Sequence, residues 1–534
     1  MNWKKNWGFA EPSGGIYAAQ FLTGLWAFCL FAAFPLYMRN RYFALGDEKF
    51  RFFFVLSCCC LIPAAVLYAC HTLRGRFGGN GLRPSYSALD CAMLLYLAAA
   101  ALSWAGSIDR AQAWNGAEGW FMGLRTQMIL VLSYFLVSRL LTGYPVVLAG
   151  HFLGSALVFL LGIGQRFGFD PLGLYEGIGS SYRRQFLSTV GQTSWYSGYV
   201  CTVLTVGIVY FYLAKGRKAR IWFGLYCLLG FAAVVTLGSD SAFVAMAVIL
   251  LGLFLVSCTD MERMERFWET ALLMLGSFKL VGIFQILLPQ RAVNPGTLPL
   301  SVSRGRFTWI LFLVCCLSYT GFLFFRQSHP EKRDIACGRL LCRAAVVTAV
   351  VLFSAYALAV WLNTSGALET WSGFRSRDPY LLFDRSWGNS RGFIWKFTAD
   401  AFGELPFLRR WIGVGCDCFS AYCYRSAELS GYLNHFFGHG QTLTNAHNEF
   451  LNMMFCTGIL GLASYAAIFV LAIRRFWKAA KQASPALMGA LAALAYAAHN
   501  FFCYQQVCAA PFLFLILGMA ENMVRNPQKT AKGY

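Results

Sequence analysis

Long apolar segments recur along almost the whole chain, separated by short polar breaks. Examples are GGIYAAQFLTGLWAFCLFAAFPLYM at residues 14–38 and APFLFLILGMAENMV at residues 510–524. A helix needs about 20 apolar residues to cross the hydrocarbon core, where the backbone polar groups must bond within the helix. Of the 534 residues, 58% are hydrophobic and only 13% are charged. This pattern predicts an all-α, polytopic integral membrane protein and excludes a soluble domain of this size.

The apolar segments predict about 12–14 transmembrane helices. Fourteen candidate spans lie near residues 14–38, 52–73, 85–104, 121–141, 144–165, 194–214, 221–237, 241–257, 269–289, 307–325, 342–362, 449–473, 485–505 and 508–524. The predicted organisation is an N-terminal transmembrane bundle of about eleven helices at residues 1–362, a large extracytoplasmic loop with an amphipathic helix at residues 363–448, and C-terminal transmembrane helices at residues 449–534.

The short basic loops set the predicted orientation. Residues 214–220, 325–343 and 473–481 and the C-terminal tail are rich in Lys and Arg, and with fourteen spans they all fall on one side. Positively charged short loops remain in the cytoplasm. We therefore expect both termini to be cytoplasmic and the large loop to lie outside the cytoplasm. The expected location is the inner (plasma) membrane of the cell.

The outward face is rich in Arg and nearly free of Lys. Because the guanidinium group offers a planar fork of donors that grips phosphate with two hydrogen bonds, this bias indicates an anionic substrate at the outer leaflet. The alternative is that these arginines pair with loop carboxylates. The candidate partners are Asp378, Asp384, Asp400 and Glu404.

His447 is the strongest candidate for a catalytic residue because it directly precedes a long apolar segment. Asn445 is the predicted N-cap of that helix. An ordinary histidine pKa near 6.5 suits a general base that accepts a proton from a sugar hydroxyl. The alternative is an interfacial histidine without a catalytic task.

Arg391 begins the predicted amphipathic helix of the large loop, where helix dipole and free amides favour phosphate. That helix is expected to lie at the membrane surface. The alternative for this cluster is helix capping by Asn389 or Ser390. No acidic cluster suggests a metal site, and we expect no cofactor and no nucleic-acid partner. Three loop cysteines are candidates for a disulfide, namely Cys416, Cys418 and Cys423.

Three motifs together resemble the O-antigen ligase and polymerase family of membrane enzymes, which act on glycans linked to undecaprenyl diphosphate. They are SRGFIWKFTADAFGELPFLRRWIGVGCDCF at residues 390–419, AHNEFLNMMFCTGILGL at residues 446–462 and, more loosely, RRQFLSTVGQTSWYSGYV at residues 183–200. The resemblance implies a metal-independent glycosyl transfer from a polyprenyl-diphosphate-linked donor to a hydroxyl of a glycan or glycolipid acceptor within the lipid bilayer.

Residue by residue, the resemblance implies that His447 is the general base and that Arg391 holds the diphosphate. Fixed guanidinium groups stabilise the charge that a diphosphate leaving group gains in the transition state. Further residues are predicted to bind substrate. These are Arg183, Arg184, Arg304 and Asn448.

One position departs from the family pattern. The family has an arginine in a Ser-Arg-Ser/Gly-Ala sequence at the start of a span, where this chain has LGSDSAFVAMAV with Asp240. A carboxylate does not bind phosphate, so another arginine must substitute or the function is lost. Arg304, at the outer start of another predicted span, is a candidate, and Arg183 and Arg184 are further candidates.

Two other classes of function remain open from the sequence. One is a transporter or flippase for a glycolipid or an anion, for which repeated halves and charged residues inside spans are expected. Lys279 is a charge of that kind, either functional or reaching towards the inner face. The other class is a non-catalytic scaffold of cell-envelope assembly. The asymmetric Arg-bearing loop beside His447 favours the enzyme.

Overall fold

Helices form nearly all the regular structure of the chain. The computed structural model describes residues 14–77, 85–180, 182–329, 331, 334–438, 442–480 and 484–527. Within these ranges the only paired strands are a two-residue hairpin of β1 (Phe186–Leu187) and β2 (Gly191–Gln192). The prediction of an all-α membrane protein is confirmed.

A helix lies at each of the fourteen predicted spans. In chain order the helices are α1 Gly14–Ala32, α2 Leu45–Phe77, α3 Ala88–Ala105, α4 Arg110–Asn115, α5 Leu124–Leu140, α6 Tyr144–Arg166, α7 Thr193–Leu213, α8 Arg217–Thr236, α9 Ser241–Ser257, α10 Met261–Leu287, α11 Thr297–Arg304, α12 Arg306–Ser328, α13 Gly338–Thr364, α14 Ala367–Ser372, α15 Trp387–Glu404, α16 Phe407–Ile412, α17 Phe419–Cys423, α18 Ala427–Phe437, α19 Glu449–Ala480, α20 Leu487–Asn500 and α21 Ala510–Arg525. In the described residues, ten helices are long and apolar enough to cross a membrane. The other four, α5, α9, α20 and α21, have 14 to 17 residues.

Helices α20 and α21 are short because the chain between them turns inside the protein. We call residues 501–509 the buried connector. From Cys503 to Ala509 each of its residues is at most 7% exposed. Non-helical backbone within a membrane protein is tolerated where protein surrounds it or where it lines a cavity. The protein around the connector therefore meets the condition for a non-helical segment between two spans.

The bundle has a buried centre and an exposed edge. Helices α7 and α21 are buried along almost their whole length. By contrast, α12 and α13 are apolar but expose nearly every side chain, for example Leu317 and Phe353. Such apolar surface is compatible with lipid rather than water, because lipid tails are as apolar as these side chains.

A buried carboxylate joins three helices at one end of the bundle. Asp90 closes a capping box with Ser87 at the start of α3. Its two oxygens also accept from Tyr134 on α5 at 2.8 Å and from Arg139 and Arg525 at 2.7 and 2.6 Å. A buried charge is tolerated when it is paired and hydrogen-bonded in this way.

Lys279 has a structural role. This buried residue of α10 donates from Nζ to the carbonyls of Val302, Ser303 and Gly305 at 2.9–3.2 Å. These carbonyls belong to the end of the short helix α11, where helix geometry leaves acceptors unpaired. These hydrogen bonds explain why a charged side chain is buried here without a role in transport.

The large loop folds around an apolar cluster of its own. In α15, the buried residues Phe393, Ile394 and Ala401 pack into this cluster. The loop and the start of α19 therefore cover much of the apolar face that the sequence assigned to the membrane surface. The proposed loop disulfide is also absent. Free, buried thiols occur at Cys416, Cys418 and Cys423.

Backbone hydrogen bonds and close packing at Gly458 connect the large loop to α19. The helix is broken at Gly458, whose φ is +73°. The amides of Val414 and Gly415 donate to the carbonyls of Phe455 and Cys456, at 3.2 and 3.0 Å. A Cβ on Gly458 would lie 2.2 Å from the carbonyl oxygen of Trp411. The glycine thus permits close packing against the loop at a break in the helix.

Replacing Gly458 with alanine is expected to destabilise the protein by about 1–3 kcal/mol, because the side chain is strained at this φ and ψ and meets backbone. Thermal unfolding in detergent measures the effect. Gly321→Ala in α12 is the control, since a Cβ there has no neighbour within 4 Å. Equal melting temperatures for the two variants would contradict the role of Gly458.

Candidate active site

His447 lies in a tight turn immediately before α19. Its φ is +48°, an unusual value for a residue with a side chain. Asn445 accepts from the His447 amide at 3.0 Å, whereas Asn448 Oδ1 accepts from the amides of Phe450 and Leu451, each at 3.0 Å. The prediction that Asn445 caps the helix is therefore wrong, because Asn448 makes the capping bonds.

The environment keeps His447 uncharged. Burial and the nearby Arg391 guanidinium lower the pKa of His447 from its usual 6.5 to about 3. Its ring packs edge-on against Tyr504, with ring centres 5.1 Å apart. At neutral pH this imidazole is thus unprotonated, as general base catalysis requires. The ordinary pKa expected from the sequence is not retained, and the lowered pKa makes His447 a weaker base than a free histidine.

Arg391 follows a strained turn at the start of α15. Gly388, Asn389 and Ser390 all have positive φ values. Strain of this kind persists where the surrounding structure holds it and is frequent at functional sites. The guanidinium donates from Nε to the carbonyl of Phe502 at 2.8 Å and from Nη1 to the carbonyl of Gly388.

Arg391 has no carboxylate partner within the described ranges. The alternative that the outward-facing arginines pair with loop carboxylates therefore does not apply to Arg391. Asp384, for example, accepts instead from the amide and hydroxyl of Ser386, at 2.9 and 2.7 Å. The half-buried charge of Arg391 is therefore available to an anionic ligand.

The buried connector brings the two candidates together. Phe502 holds the Arg391 guanidinium, and Tyr504, two residues later, contacts His447. Tyr504 is itself held by its hydroxyl, which donates to Gln192 at 2.8 Å. Sequence reasoning missed this segment. The polar pair Gln505 and Gln506 between two apolar helices was the only indication of an unusual turn.

A polar network behind His447 fixes the start of α19. Glu449, which is buried, accepts from Asn500 and Tyr465. Asn500 also contacts His499, whose other ring nitrogen lies 2.6 Å from Ser197 Oγ. Satisfied buried networks of this kind rigidify a site. The network thus positions the turn that carries His447.

The other predicted substrate-binding residues do not all join this pair. Arg183 is exposed and lies over the Tyr175 ring, with its guanidinium carbon 6.0 Å from the ring centre. Arg184 is exposed, and its carbonyl accepts from Arg166. Arg304 is exposed and donates to Gln285, with Nη2 2.7 Å from the carbonyl oxygen. Asn448 uses its side-chain oxygen as the helix cap.

A different arginine lies beside the turn that departs from the family pattern. Asp240 accepts from the hydroxyl of Tyr380 at 2.9 Å. Just before it, the carbonyls of Thr236 and Leu237 accept from the guanidinium of Arg166, at 2.9 and 3.0 Å. Arg166 was not predicted as a site residue, because one arginine at the end of an apolar helix looks like an ordinary boundary charge.

The geometry and the family comparison point to the same region. Residues 292–466 match the O-antigen ligase family model. This match supports the predicted family and covers Arg391 and His447, but not the looser motif at residues 183–200. Comparison with curated proteins found no significant match. At family level the O-antigen ligase match indicates glycan transfer in a membrane and does not favour a transporter.

Metal binding has no support from residue arrangement in the described ranges. No group of three or more His, Cys, Asp or Glu side chains there is placed to hold a metal ion. The groups that converge near the buried connector are instead a neutral imidazole and a guanidinium. Such a pair suits proton transfer combined with stabilisation of a separate negative charge.

Proposed function

We propose that this protein transfers a glycan from a polyprenyl diphosphate to a hydroxyl of a glycan or glycolipid acceptor. The observation that carries the proposal is the convergence of Arg391 and His447 on the buried connector. The acceptor oxygen bonds to the anomeric carbon, the bond from that carbon to the diphosphate oxygen breaks, and polyprenyl diphosphate leaves. The acceptor proton passes to His447, which is neutral and able to take it.

Arg391 stabilises the leaving group in this proposal. The diphosphate gains negative charge as the glycosidic bond breaks, and a fixed guanidinium in a partly buried site stabilises that charge without reorganising. The absence of a carboxylate partner within the described residues keeps its charge available. This electrostatic role makes the reaction independent of a metal ion.

The distribution of basic residues supports a site facing out of the cytoplasm. His447 precedes the first residue of α19, whereas Arg474, Arg475 and Lys478 lie at the other end of that helix. By the positive-inside rule the basic end is cytoplasmic. We therefore place the reaction at the outer leaflet of the plasma (inner) membrane, where both substrates are membrane-bound glycans.

A transfer assay tests the function directly. Detergent-purified full-length protein is mixed with a polyprenyl-diphosphate-linked glycan and a lipid or glycan acceptor, with EDTA present. The expected result is a glycosylated acceptor together with free polyprenyl diphosphate in equal amounts. Failure to transfer with any acceptor, or hydrolysis of the donor without transfer, would overturn the proposal.

The pH dependence follows from the low pKa of His447. Because His447 in the free enzyme takes up a proton only near pH 3, kcat/KM should stay flat between pH 8 and pH 5 rather than fall below pH 6.5. A bound diphosphate offsets the Arg391 charge and favours the imidazolium, so the pKa rises in the complex. The acidic limb of kcat should therefore lie at higher pH than that of kcat/KM. Coincident limbs near pH 6.5 would contradict this environment for His447.

A further inference from the structure

A cavity that neither Arg391 nor His447 lines lies beside the end of α6. Its volume is about 320 Å³, and its walls include Arg166, Arg183, Tyr175, Asp170 and Glu176. Ligand sites in proteins typically start at about 300 Å³, enough for a sugar-sized group. The cavity is formed by the end of α6 and the segment that leads to the β1–β2 hairpin.

The carboxylates of this cavity are already satisfied. Asp170 accepts from the Gln165 side chain at 3.1 Å and from the Tyr175 amide at 2.9 Å. Glu176 forms an ion pair with Arg41. Arg41 thus neutralises Glu176, whereas Asp170 has only neutral donors and keeps its charge. Against this one negative charge the cavity holds two arginines, so an excess of one positive charge remains.

Arg166 is a buried cation without a counter-ion. It is only 4% exposed, and its Nε and Nη2 groups donate to the backbone carbonyls of Thr236, Leu237 and Arg184. Among the described residues no carboxylate pairs with it and no acceptor bonds its Nη1 group. A buried charge is costly unless it is paired, so a partner from outside the chain explains its retention.

Arg183 adds a second guanidinium to the same cavity. It lies over the ring of Tyr175 and donates from Nε to the carbonyl of Ile178 at 3.3 Å. Two arginines in one cavity suit an oxyanion, which accepts from both forks. The Tyr175 ring is in turn anchored, because its hydroxyl donates to the carbonyl of Phe186 at 2.9 Å.

The cavity belongs to the same end of the bundle as the candidate active site. The chain runs from Arg183 through the β1–β2 hairpin to Gln192, which accepts from Tyr504. Tyr504 contacts His447. One short hairpin therefore connects the two sites.

We propose that the cavity between Arg166 and Arg183 binds an oxyanion, a phosphate or a carboxylate, carried by a glycan substrate. The assignment to a substrate rests on the proposed glycan transfer, whereas binding of the oxyanion does not. Two sources share this chemistry: the phosphate groups of the donor, and a charged sugar of the acceptor.

Binding of inorganic phosphate tests the site without any transfer reaction. The measurement is isothermal titration calorimetry of phosphate into full-length Arg391→Ala protein in detergent. The Arg391→Ala substitution removes the other candidate anion site. Adding Arg183→Ala should weaken phosphate binding at least tenfold, and adding Arg291→Ala should leave it unchanged. Arg291 is an exposed arginine on the adjoining 288–296 segment and does not line the cavity. No phosphate binding in the Arg391→Ala protein, or equal weakening by both further changes, would overturn the proposal.

Transfer kinetics then identify the source of the oxyanion. In protein with an intact Arg391, Arg183→Ala should raise KM for the donor alone if the cavity holds donor phosphate, and KM for the acceptor alone if it holds a charged acceptor sugar. Unchanged KM values for both would overturn the assignment to a substrate. If wild-type protein shows no transfer at all, the proposed function fails. The phosphate titration still shows whether the cavity binds an oxyanion.

Discussion

Replacing His447 with alanine is expected to lower the rate of glycan transfer by roughly 10²–10⁴-fold, the usual contribution of a positioned general base. The side chain is the proton acceptor in the proposed reaction, and its ring contacts Tyr504 of the buried connector. The rate is measured as acceptor glycosylation by purified protein. In cells the same change should cause lipid-linked glycan to accumulate.

The control for this variant is His435→Ala. His435 is an exposed histidine on α18, in the same loop. Its removal should leave transfer at the wild-type rate. The His447 variant should also melt near the wild-type temperature, since Glu449 and Asn448 still hold the start of α19. Wild-type transfer by His447→Ala protein would rule out its role as base.

Replacing Arg391 with alanine is expected to reduce kcat by about 10²–10³-fold, as for loss of one preorganised donor to a developing anion. Arg391→Lys should recover only part of the rate. Lysine keeps the positive charge but lacks the fork that bonds the Phe502 carbonyl while leaving other donors free. Single-turnover transfer with saturating donor separates this loss in kcat from weaker donor binding.

Arg385→Ala provides the comparison for Arg391. Arg385 is an exposed arginine on the same loop segment, and its backbone carbonyl, which the substitution retains, accepts from Phe393. The rate of glycan transfer by Arg385→Ala protein should match that of the wild type. If Arg385→Ala and Arg391→Ala lower transfer equally, general loop charge rather than one placed guanidinium would account for the effect.

The helices of this protein were predictable because apolar length is a local property. Each predicted span coincides with a helix, although the ends of α2 and α10 extend well into the flanking polar sequence. The capping role of Asn448 was less accessible, since Asn445 and Asn448 are both good capping residues and only the backbone of the turn distinguishes them. A left-handed His447 between them is not apparent from residue type.

The site itself was predictable in its residues but not in its construction. Motif order pointed to Arg391 and His447, yet the groups that unite them come from residues more than fifty positions later. Phe502 contributes a carbonyl, which any residue type has, so no sequence pattern marks it. Arg166 was missed for a related reason: its burial depends on how the end of α6 packs against the end of α8.

The β1–β2 hairpin, the turn before α19 and the buried connector meet at Tyr504, and this has a consequence for length variation. A one-residue insertion between Phe502 and Tyr504 would alter the span between the group that holds the guanidinium and the ring that faces the imidazole. Insertions at residues 374–383, which are mostly exposed, leave that span unchanged. The number of residues in the connector thus sets the distance between the Arg391 guanidinium and the His447 imidazole. Homologous chains are expected to conserve that number even where the side chains of the connector differ.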